Sequence, residues 1–388
     1  MRRRVIAVGI IAFLLYAFVP VALVQWIALF MLIVVSASAM WSRSVRDNLG
    51  VARIDPEQAS FRFQDCEIRV RLENRSRFPI AHLSVTDPCG RLRADGRTNA
   101  VVSLGAGESF TLRYQVRGMN RGIHEIGPLR VRGTDPLGLF PWSGEAGEAG
   151  RVIVYPALHP LTLPYSRGLP AGNLSTPNPV YEDTTRFRSL RGYIRGDDPR
   201  RISWKATART GELHTTEYLP ALSFPLLILL NLRTGHYETR RRYHAVERNI
   251  EAAAALVMHA RRLDQPVGLV FSGSLGKTPG EYGYPAAAGY AHAVELLSAL
   301  ARADIADGRM ETSLLRRAAG QIPYGTRIFY IGPSLDAETV IALTDMARGE
   351  TTLELLYANR KTAERDSFVP QSVPIRPISE YGAFRFVG

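Results

Sequence analysis

The residues best suited to chemistry in this 388-residue sequence are cations in one central segment. Residues 186–209 contain eight cations and only two acidic residues, Asp197 and Asp198. The cations are Arg186, Arg188, Arg191, Arg195, Arg200, Arg201, Lys205 and Arg209. Because guanidinium and ammonium groups bind carboxylates and phosphates, the segment is a candidate contact for an acidic partner.

The spacing within this segment predicts one helix. Asp198 before Pro199 is typical of an N-cap followed by proline at the first helical position, and Gly211 is a plausible stop. On that helix Arg201, Lys205 and Arg209 would line one face, with Trp204 on a neighbouring face. The predicted partner-binding residues are therefore Arg191, Asp197, Asp198, Arg200, Arg201, Trp204, Lys205 and Arg209. In the alternative interpretation, the aspartates and arginines form ion pairs that lock the segment onto its own domain.

The sequence contains no motif typical of metal binding, nucleophilic catalysis or phosphate binding. The eight histidines have no metal-binding spacing, and no nucleophile elbow is present. Residues 271–278 end in Gly-Lys-Thr, but Phe271 stands where a phosphate loop needs glycine, and Pro279 and Gly280 follow where a helix must begin. The net charge of +12 could indicate nucleic-acid binding, but the basic segment lacks interleaved aromatic residues. We predict no catalytic residues, no metal, no cofactor and no nucleic acid.

The N-terminus is predicted to be a membrane anchor. Val5 to Met40 is a run of 36 residues without a charge, too long for one crossing of a bilayer core of ~30 Å. Pro20 divides the run, so residues 5–40 are predicted to cross the lipid bilayer as a transmembrane helical hairpin. Arginines precede and follow the hairpin and none lies at its turn, which places both ends in the cytoplasm. The alternative is a signal peptide cleaved at residues 37–39, whose usual apolar core is only ~7–15 residues.

After the predicted anchor, apolar and charged side chains alternate in a way that is typical of short strands. Residues 66–73 and 110–116 alternate apolar and charged side chains, and 80–86, 101–104, 123–131 and 152–155 are further candidates. This spacing predicts an antiparallel β-sandwich of immunoglobulin type.

Strands and helices alternate after Tyr218, which predicts a doubly wound α/β sheet. Strands are predicted at 224–230, 266–272, 326–331 and 351–358, and helices at 243–263, 290–302 and 335–346. The predicted domains are 1–42 (hairpin), 43–54 (linker), 55–155 (β-sandwich), 156–218 (signature segment, which includes the basic residues 186–209) and 219–388 (α/β).

The central pattern carries a family resemblance. Leu190-Arg-x-Tyr-x-x-Gly-Asp-Asp-x-Arg-x-Ile-x-Trp-Lys-x-x-Ala-Arg209 is similar to the signature of the domain of unknown function 58 family, as is Asp135-Pro-Leu-Gly-Leu-Phe140 upstream. The resemblance implies a membrane-anchored protein whose last domain is similar to the von Willebrand factor A fold. It also implies MoxR-type AAA+ ATPases and transglutaminase-like proteins as partners.

One departure from that fold bears on metal binding. Where a metal-binding von Willebrand A domain has Asp-x-Ser-x-Ser, this chain has Asn231, Arg233 and Gly235. These positions form a degenerate metal site, and hard-cation binding is not expected. The functional expectation is a non-enzymatic adaptor at the cytoplasmic face of the inner membrane, acting with a MoxR-type ATPase in envelope assembly or maintenance. The alternative is a small-ligand or substrate-processing role for the α/β domain.

Overall fold

A computed structural model describes residues 2–18, 21–161, 182–220, 225–237, 242–308, 325–333, 335, 337–346, 352–357 and 373–377. The chain divides into two units. The first comprises residues 1–159, 274–279 and 294–304, and the second comprises 160–273, 280–293 and 305–388.

The first unit begins with two helices, α1 (Arg2–Phe18) and α2 (Ala22–Asp47). Among the described residues, α2 is the one helix that is long and apolar enough to cross a membrane by length and composition. The two helices touch, because a β-carbon at Gly9 would lie 3.6 Å from Cγ1 of Val35. Pro20, at the predicted turn, lies outside the described residues.

The predicted linker at 43–54 is wrong. The helix α2 continues to Asp47, and β1 (Leu49–Arg53) follows almost at once. Val45 is 1% exposed and belongs to the core of the β-rich region. A side chain buried in this way holds the end of the helix against the strands, so no flexible connection separates the two.

The β-rich region continues with ten more strands in the described residues. They are β2 (Glu57–Phe61), β3 (Asp65–Asn74), β4 (Ile80–Thr86), β5 (Arg93–Asp95), β6 (Asn99–Leu104), β7 (Ser109–Arg117), β8 (Gly122–Ile126), β9 (Leu129–Thr134), β10 (Trp142–Ala146) and β11 (Gly150–Tyr155). They form sheets of order β1-β3-β7-β5, β10-β9-β4-β6 and β2-β11-β8. The alternation of the sequence predicted the positions of β3, β4, β6, β7, β8, β9 and β11 but not those of β2, β5 and β10.

The structure differs from the prediction in one strand boundary and in the direction of one strand pair. The single strand expected at 123–131 is two strands, β8 and β9, separated at Gly127 and Pro128, because proline has no N–H to continue a ladder. The pair β2 and β11 is parallel, whereas the described pairs in the two four-stranded sheets are antiparallel. Alternation reports which side chains face the core but not the direction of a neighbouring strand.

The core of this region holds a buried ion pair. The Arg53 guanidinium donates to both carboxylate oxygens of Asp87, at 2.9 and 2.7 Å, and the Tyr114 hydroxyl donates to Asp87 at 2.6 Å. The side chains of Arg53 and Asp87 are 4% and 0% exposed. Burial and the Asp87 carboxylate both raise the pKa of Tyr114, so the hydroxyl stays protonated. Asp87 thus has its charge balanced inside the core.

The second half of the chain supplies the remaining elements. The strands are β12 (Glu182–Gly192), β13 (His214–Pro220), β14 (Leu226–Asn231), β15 (Val267–Leu275), β16 (Thr278–Ala287), β17 (Ala303–Asp304), β18 (Arg327–Gly332), β19 (Thr352–Tyr357) and β20 (Ile375–Pro377). The helices are α3 (Trp204–Thr210), α4 (Arg242–Arg262), α5 (Tyr290–Arg302) and α6 (Ala337–Met346).

The large sheet has the order β16-β15-β14-β18-β19-β20, with β17 beside β15. The strands β15, β14, β18, β19 and β20 are parallel. All six residues of β14 are buried, as expected for a strand at the centre of a parallel sheet. The alternating strands and helices predicted for this region are present, and none of their ends differs from the prediction by more than three residues. Phe224, Thr351 and Ala358, predicted as strand residues, lie outside the described part.

Candidate functional site

The basic segment starts on a two-stranded antiparallel sheet of β12 and β13. Arg191 donates to both carboxylate oxygens of Asp197, each at 2.7 Å, and its Nε donates to Glu217 at 3.1 Å. Ser189 donates to the other carboxylate oxygen of Glu217 at 2.7 Å, and Thr215 donates to Asp197 at 3.4 Å. We call Ser189, Arg191, Asp197, Thr215 and Glu217 the Arg191 cluster. Its single cation, Arg191, is paired with both carboxylates of the cluster.

The carboxylate of Asp197 also fixes the turn that follows β12. It accepts a hydrogen bond from the amide of Ile194 at 3.0 Å. The Arg191 guanidinium and this amide together lower the pKa of Asp197 to about 2. The side chain is 18% exposed, so it has little surface left for a partner.

The single helix predicted from Asp198 to Gly211 is wrong in its first half. Asp198 accepts a hydrogen bond from the Arg200 amide at 3.0 Å, but it caps only a 3-10 turn over Pro199–Arg201. Ile202 then pairs with Thr215 as a β-bridge. Pairing with a strand takes the backbone out of the helical conformation. Arg201 is therefore not on one helix with Lys205 and Arg209.

The helix α3 begins after this break and ends where the sequence predicted. Gly211 has a φ of 76°, a left-handed conformation suited to glycine, and its amide donates to Thr207. The helix is attached through Thr207, whose hydroxyl accepts a hydrogen bond from the His214 amide at 3.2 Å.

The opposite side of α3 faces solvent. Trp204 is 68% exposed, and Lys205, Ala208 and Arg209 are exposed beside it at helical spacing. We call these four residues the α3 surface. Among the described residues neither Lys205 nor Arg209 has an ion-pair partner. An apolar ring beside a row of two unpaired cations can bind a surface that carries carboxylates and an apolar side chain.

The eight predicted residues thus fall into groups. Arg191 and Asp197 pair with each other, and Asp198 caps the 3-10 turn. Trp204, Lys205 and Arg209 lie on the α3 surface, while Arg200 is exposed and Arg201 half-buried ahead of it. The side chains of Arg186 and Arg188 lie outside the described part. Sequence reasoning missed Thr215 and Glu217, because only the register of β12 against β13 brings them to Arg191.

The degenerate metal positions lie at the carboxyl end of β14. Asn231 is fully buried, and its amide nitrogen donates to the Tyr330 hydroxyl at 3.0 Å. Its side-chain oxygen accepts a hydrogen bond from the Arg233 amide at 3.0 Å. Gly235 donates its amide to the Gly308 carbonyl at 3.0 Å. These contacts hold the loop after β14 in a fixed conformation.

The Arg233 guanidinium joins three segments at this point. It donates to the Ser272 hydroxyl at 2.7 Å, to the Asp307 carbonyl at 2.9 Å and to the Gly280 carbonyl at 3.1 Å. The oxygen atoms of Ser272, Asp307 and Gly280 would suit a hard cation, but here they accept hydrogen bonds from the cationic Arg233 side chain. Within the described ranges, no three His, Cys, Asp or Glu residues lie close enough to hold a metal ion.

Comparison with known proteins identifies the segment that contains the α3 surface. A family model described as "Protein of unknown function DUF58" matches residues 189–322, and this confirms the resemblance read from the central pattern. The uncharacterized protein YeaD of Bacillus subtilis (strain 168) is 27% identical over 229 residues. That alignment covers 56% of this chain and 53% of YeaD, so the chain spans about half the length of the curated relative it matches.

Two solved domains are each similar to about a quarter of the chain. The CARDB domain of a Pyrococcus furiosus protein is 17% identical and covers 28% of this chain and 94% of that domain, with a TM-score of 0.20. The PapD-like domain 7 of human CEP192 is 8% identical and covers 27% of this chain and 84% of that domain, with a TM-score of 0.21. Likenesses this weak carry no argument about fold or function.

Proposed function

From a DUF58 segment and an N-terminal helix of membrane length, we propose that this protein is a non-enzymatic adaptor anchored in the inner membrane. The helices α1 and α2 form a hairpin that crosses the bilayer twice and leaves the rest of the chain in the cytoplasm. The uncharged residues 5–18 of α1 correspond to ~21 Å, shorter than the ~30 Å hydrocarbon core, so this crossing requires local thinning of the bilayer. The contact of α1 with α2 through Gly9 supports a paired arrangement.

Reporter fusions test this topology. A reporter fused after residue 50 should behave as cytoplasmic, because arginines flank the hairpin at both ends and none lies at its turn. A second reporter at the Pro20 turn should behave as exported. Export of the first reporter, or a mature protein that begins near Met40, would refute the hairpin in favour of a signal peptide.

The adaptor role rests on the exposed α3 surface. Arg191 is paired within the Arg191 cluster, whereas Lys205 and Arg209 have no ion-pair partner in the described part. Trp204, on the neighbouring face of α3, exposes 68% of its surface. Tryptophan and arginine are the residues that contribute most at protein interfaces. The partner that fits carries carboxylates around an apolar side chain.

The partner proposed here is a MoxR-type AAA+ ATPase, with a transglutaminase-like protein as a further member of the assembly. We propose that the α/β domain has a fold similar to the von Willebrand A fold and presents the basic segment to the partner. The cellular process in which the assembly acts is envelope assembly or maintenance. The test is the affinity of the purified full-length chain, in detergent, for a purified MoxR-type ATPase from the same organism. Salt-dependent binding that Trp204→Ala weakens would support the proposal. Absence of binding at micromolar concentrations would refute it.

The second candidate is a small-ligand or substrate-processing role. The order of the large sheet reverses between β14 and β18, and ligands of open parallel sheets bind outside the carboxyl ends of strands at such a point. Arg233 follows β14 at this end of the sheet and uses three of its five N–H groups in the hydrogen bonds described above. A thermal-shift screen of small anions separates the two roles, since stabilisation lost in Arg233→Ala would favour the ligand role.

A further inference from the structure

The connection between β9 and β10 is unusually apolar for an exposed loop. Residues 136–142 read Pro-Leu-Gly-Leu-Phe-Pro-Trp and contain no charge. Leu137 is 62% exposed, and the residues beside it, Pro136 and Gly138, are exposed as well. We call residues 136–142 the apolar loop. Nothing in the proposed adaptor role uses it.

The apolar loop is held in one shape by Asp135. This carboxylate is 1% exposed and accepts hydrogen bonds from the amides of Leu137 at 3.1 Å and Phe140 at 2.6 Å. Gly138 closes the turn with a φ of 71°. The exposure of Leu137 is therefore a property of an ordered loop.

The end of α2 contacts the apolar loop directly. The Ser42 hydroxyl donates to the Phe140 carbonyl at 2.7 Å. One residue earlier, the Trp41 ring stacks on Phe78 with ring centroids 4.7 Å apart, and its indole N–H donates to the Pro79 carbonyl at 3.0 Å. Two side chains on successive residues thus fix the helix to the β-rich region.

The length of α2 places this contact at the membrane boundary. From Ala22 to Trp41 the helix rises ~29 Å at ~1.5 Å per residue, close to the ~30 Å of a hydrocarbon core. Tryptophan is enriched at the level of the headgroups, and Arg43 and Arg46 are exposed just beyond. Because Phe140 binds the residue after Trp41, the apolar loop lies at the same level.

We propose that the apolar loop is a second membrane contact, whose tip at Leu137 enters the interfacial region of the bilayer beside α2. The inference rests on the membrane anchor of the proposed function. The ligand is the lipid surface itself, and the loop, fixed by Asp135 and Ser42, needs no rearrangement to reach it. Burying an apolar tip in the interface removes it from water at a level where the domain is already held.

Site-specific photocrosslinking tests this contact in the full-length protein. A diazirine amino acid replaces Leu137, Ile33 or Val101 in separate variants, which are activated in native membranes and analysed for lipid adducts by mass spectrometry. Ile33 is 57% exposed on α2 and reports the anchor. Val101 is the matched control, since it is 62% exposed, as Leu137 is, and lies on β6 at the opposite edge of the same sheet.

Lipid adducts at position 137 should exceed those at position 101 several-fold and approach those at position 33. Adducts at 33 but only background at 137 would overturn the loop contact and leave the anchor intact. Background at both 33 and 137 would overturn the anchor as well. Crosslinks from 137 to another protein in place of lipid would show that the apolar loop is covered by a protein.

Discussion

Reversing the charge of the α3 surface should abolish partner binding without unfolding the protein. The perturbation is Lys205→Glu with Arg209→Glu. Both side chains are exposed and have no ion-pair partner among the described residues, so each change should alter the unfolding free energy by about 0.5 kcal/mol or less. Across an interface, losing two cations and gaining two repulsive carboxylates should cost about 3 kcal/mol, or about 150-fold in Kd.

The assay measures the melting curve and the Kd for the MoxR-type ATPase on the same purified sample. Arg130→Glu with Arg132→Glu is the matched control, because both arginines are exposed on β9 and the change in net charge is equal. This control should bind as the wild type does. Arg191→Ala should instead lower the melting temperature by several degrees, since it leaves Asp197 and Glu217 without their partner. A low melting temperature for the α3 variant, or an unchanged Kd, would refute the separation of docking from internal pairing.

Four further predictions concern the ion pairs, the hydrogen bonds and the metal-binding positions of the fold. The pKa of Asp197 is lowered to about 2, against about 3.9 in an unfolded chain, so its contribution is present above pH ~4 and is lost as the pH falls towards 2. The melting-temperature difference between wild type and Asp197→Asn should therefore be largest near pH 5 and vanish near pH 2, and a constant difference would contradict this. Asp87→Ala should cost about 3–5 kcal/mol in urea denaturation, because it leaves Arg53 charged and unpaired in the core. Arg233→Ala should lower the free energy of unfolding by about 2–4 kcal/mol, because it removes three hydrogen bonds. Calorimetric titration of the wild type with Mg²⁺ or Mn²⁺ should show no stoichiometric site of micromolar affinity.

Periodicity predicted most of the elements, because burial imposes it on the sequence directly. The helix at 290–302 and the strand at 80–86 were predicted to the residue, since each has one apolar face and clear ends. The linker at 43–54 failed for a related reason. A single valine such as Val45 has the same sequence context whether it is buried against a β-sheet or lies in a short connection. Its burial is therefore known only from the tertiary structure.

The candidate site was predicted in composition but not in arrangement. The cap at Asp198 and the stop at Gly211 follow from local backbone chemistry, and both are present. The break at Ile202 does not, because it depends on pairing with Thr215, thirteen residues later in the chain. The helix propensity of residues 199–210 does not indicate that Ile202 pairs with a strand. In the structure this tertiary pairing prevails over local helix formation.

The direct passage from α2 into the β-rich region has a consequence for how the protein responds to bilayer thickness. Proteins with flexible juxtamembrane segments accommodate hydrophobic mismatch by letting the helix tilt independently of the domain. Here Val45 is buried in the core and Ser42 binds Phe140, so tilting of α2 turns the β-rich region with it. A thinner or thicker membrane would therefore change the angle at which this region faces the lipid. In the proposed anchored state, the composition of the bilayer would set the orientation of the β-rich region.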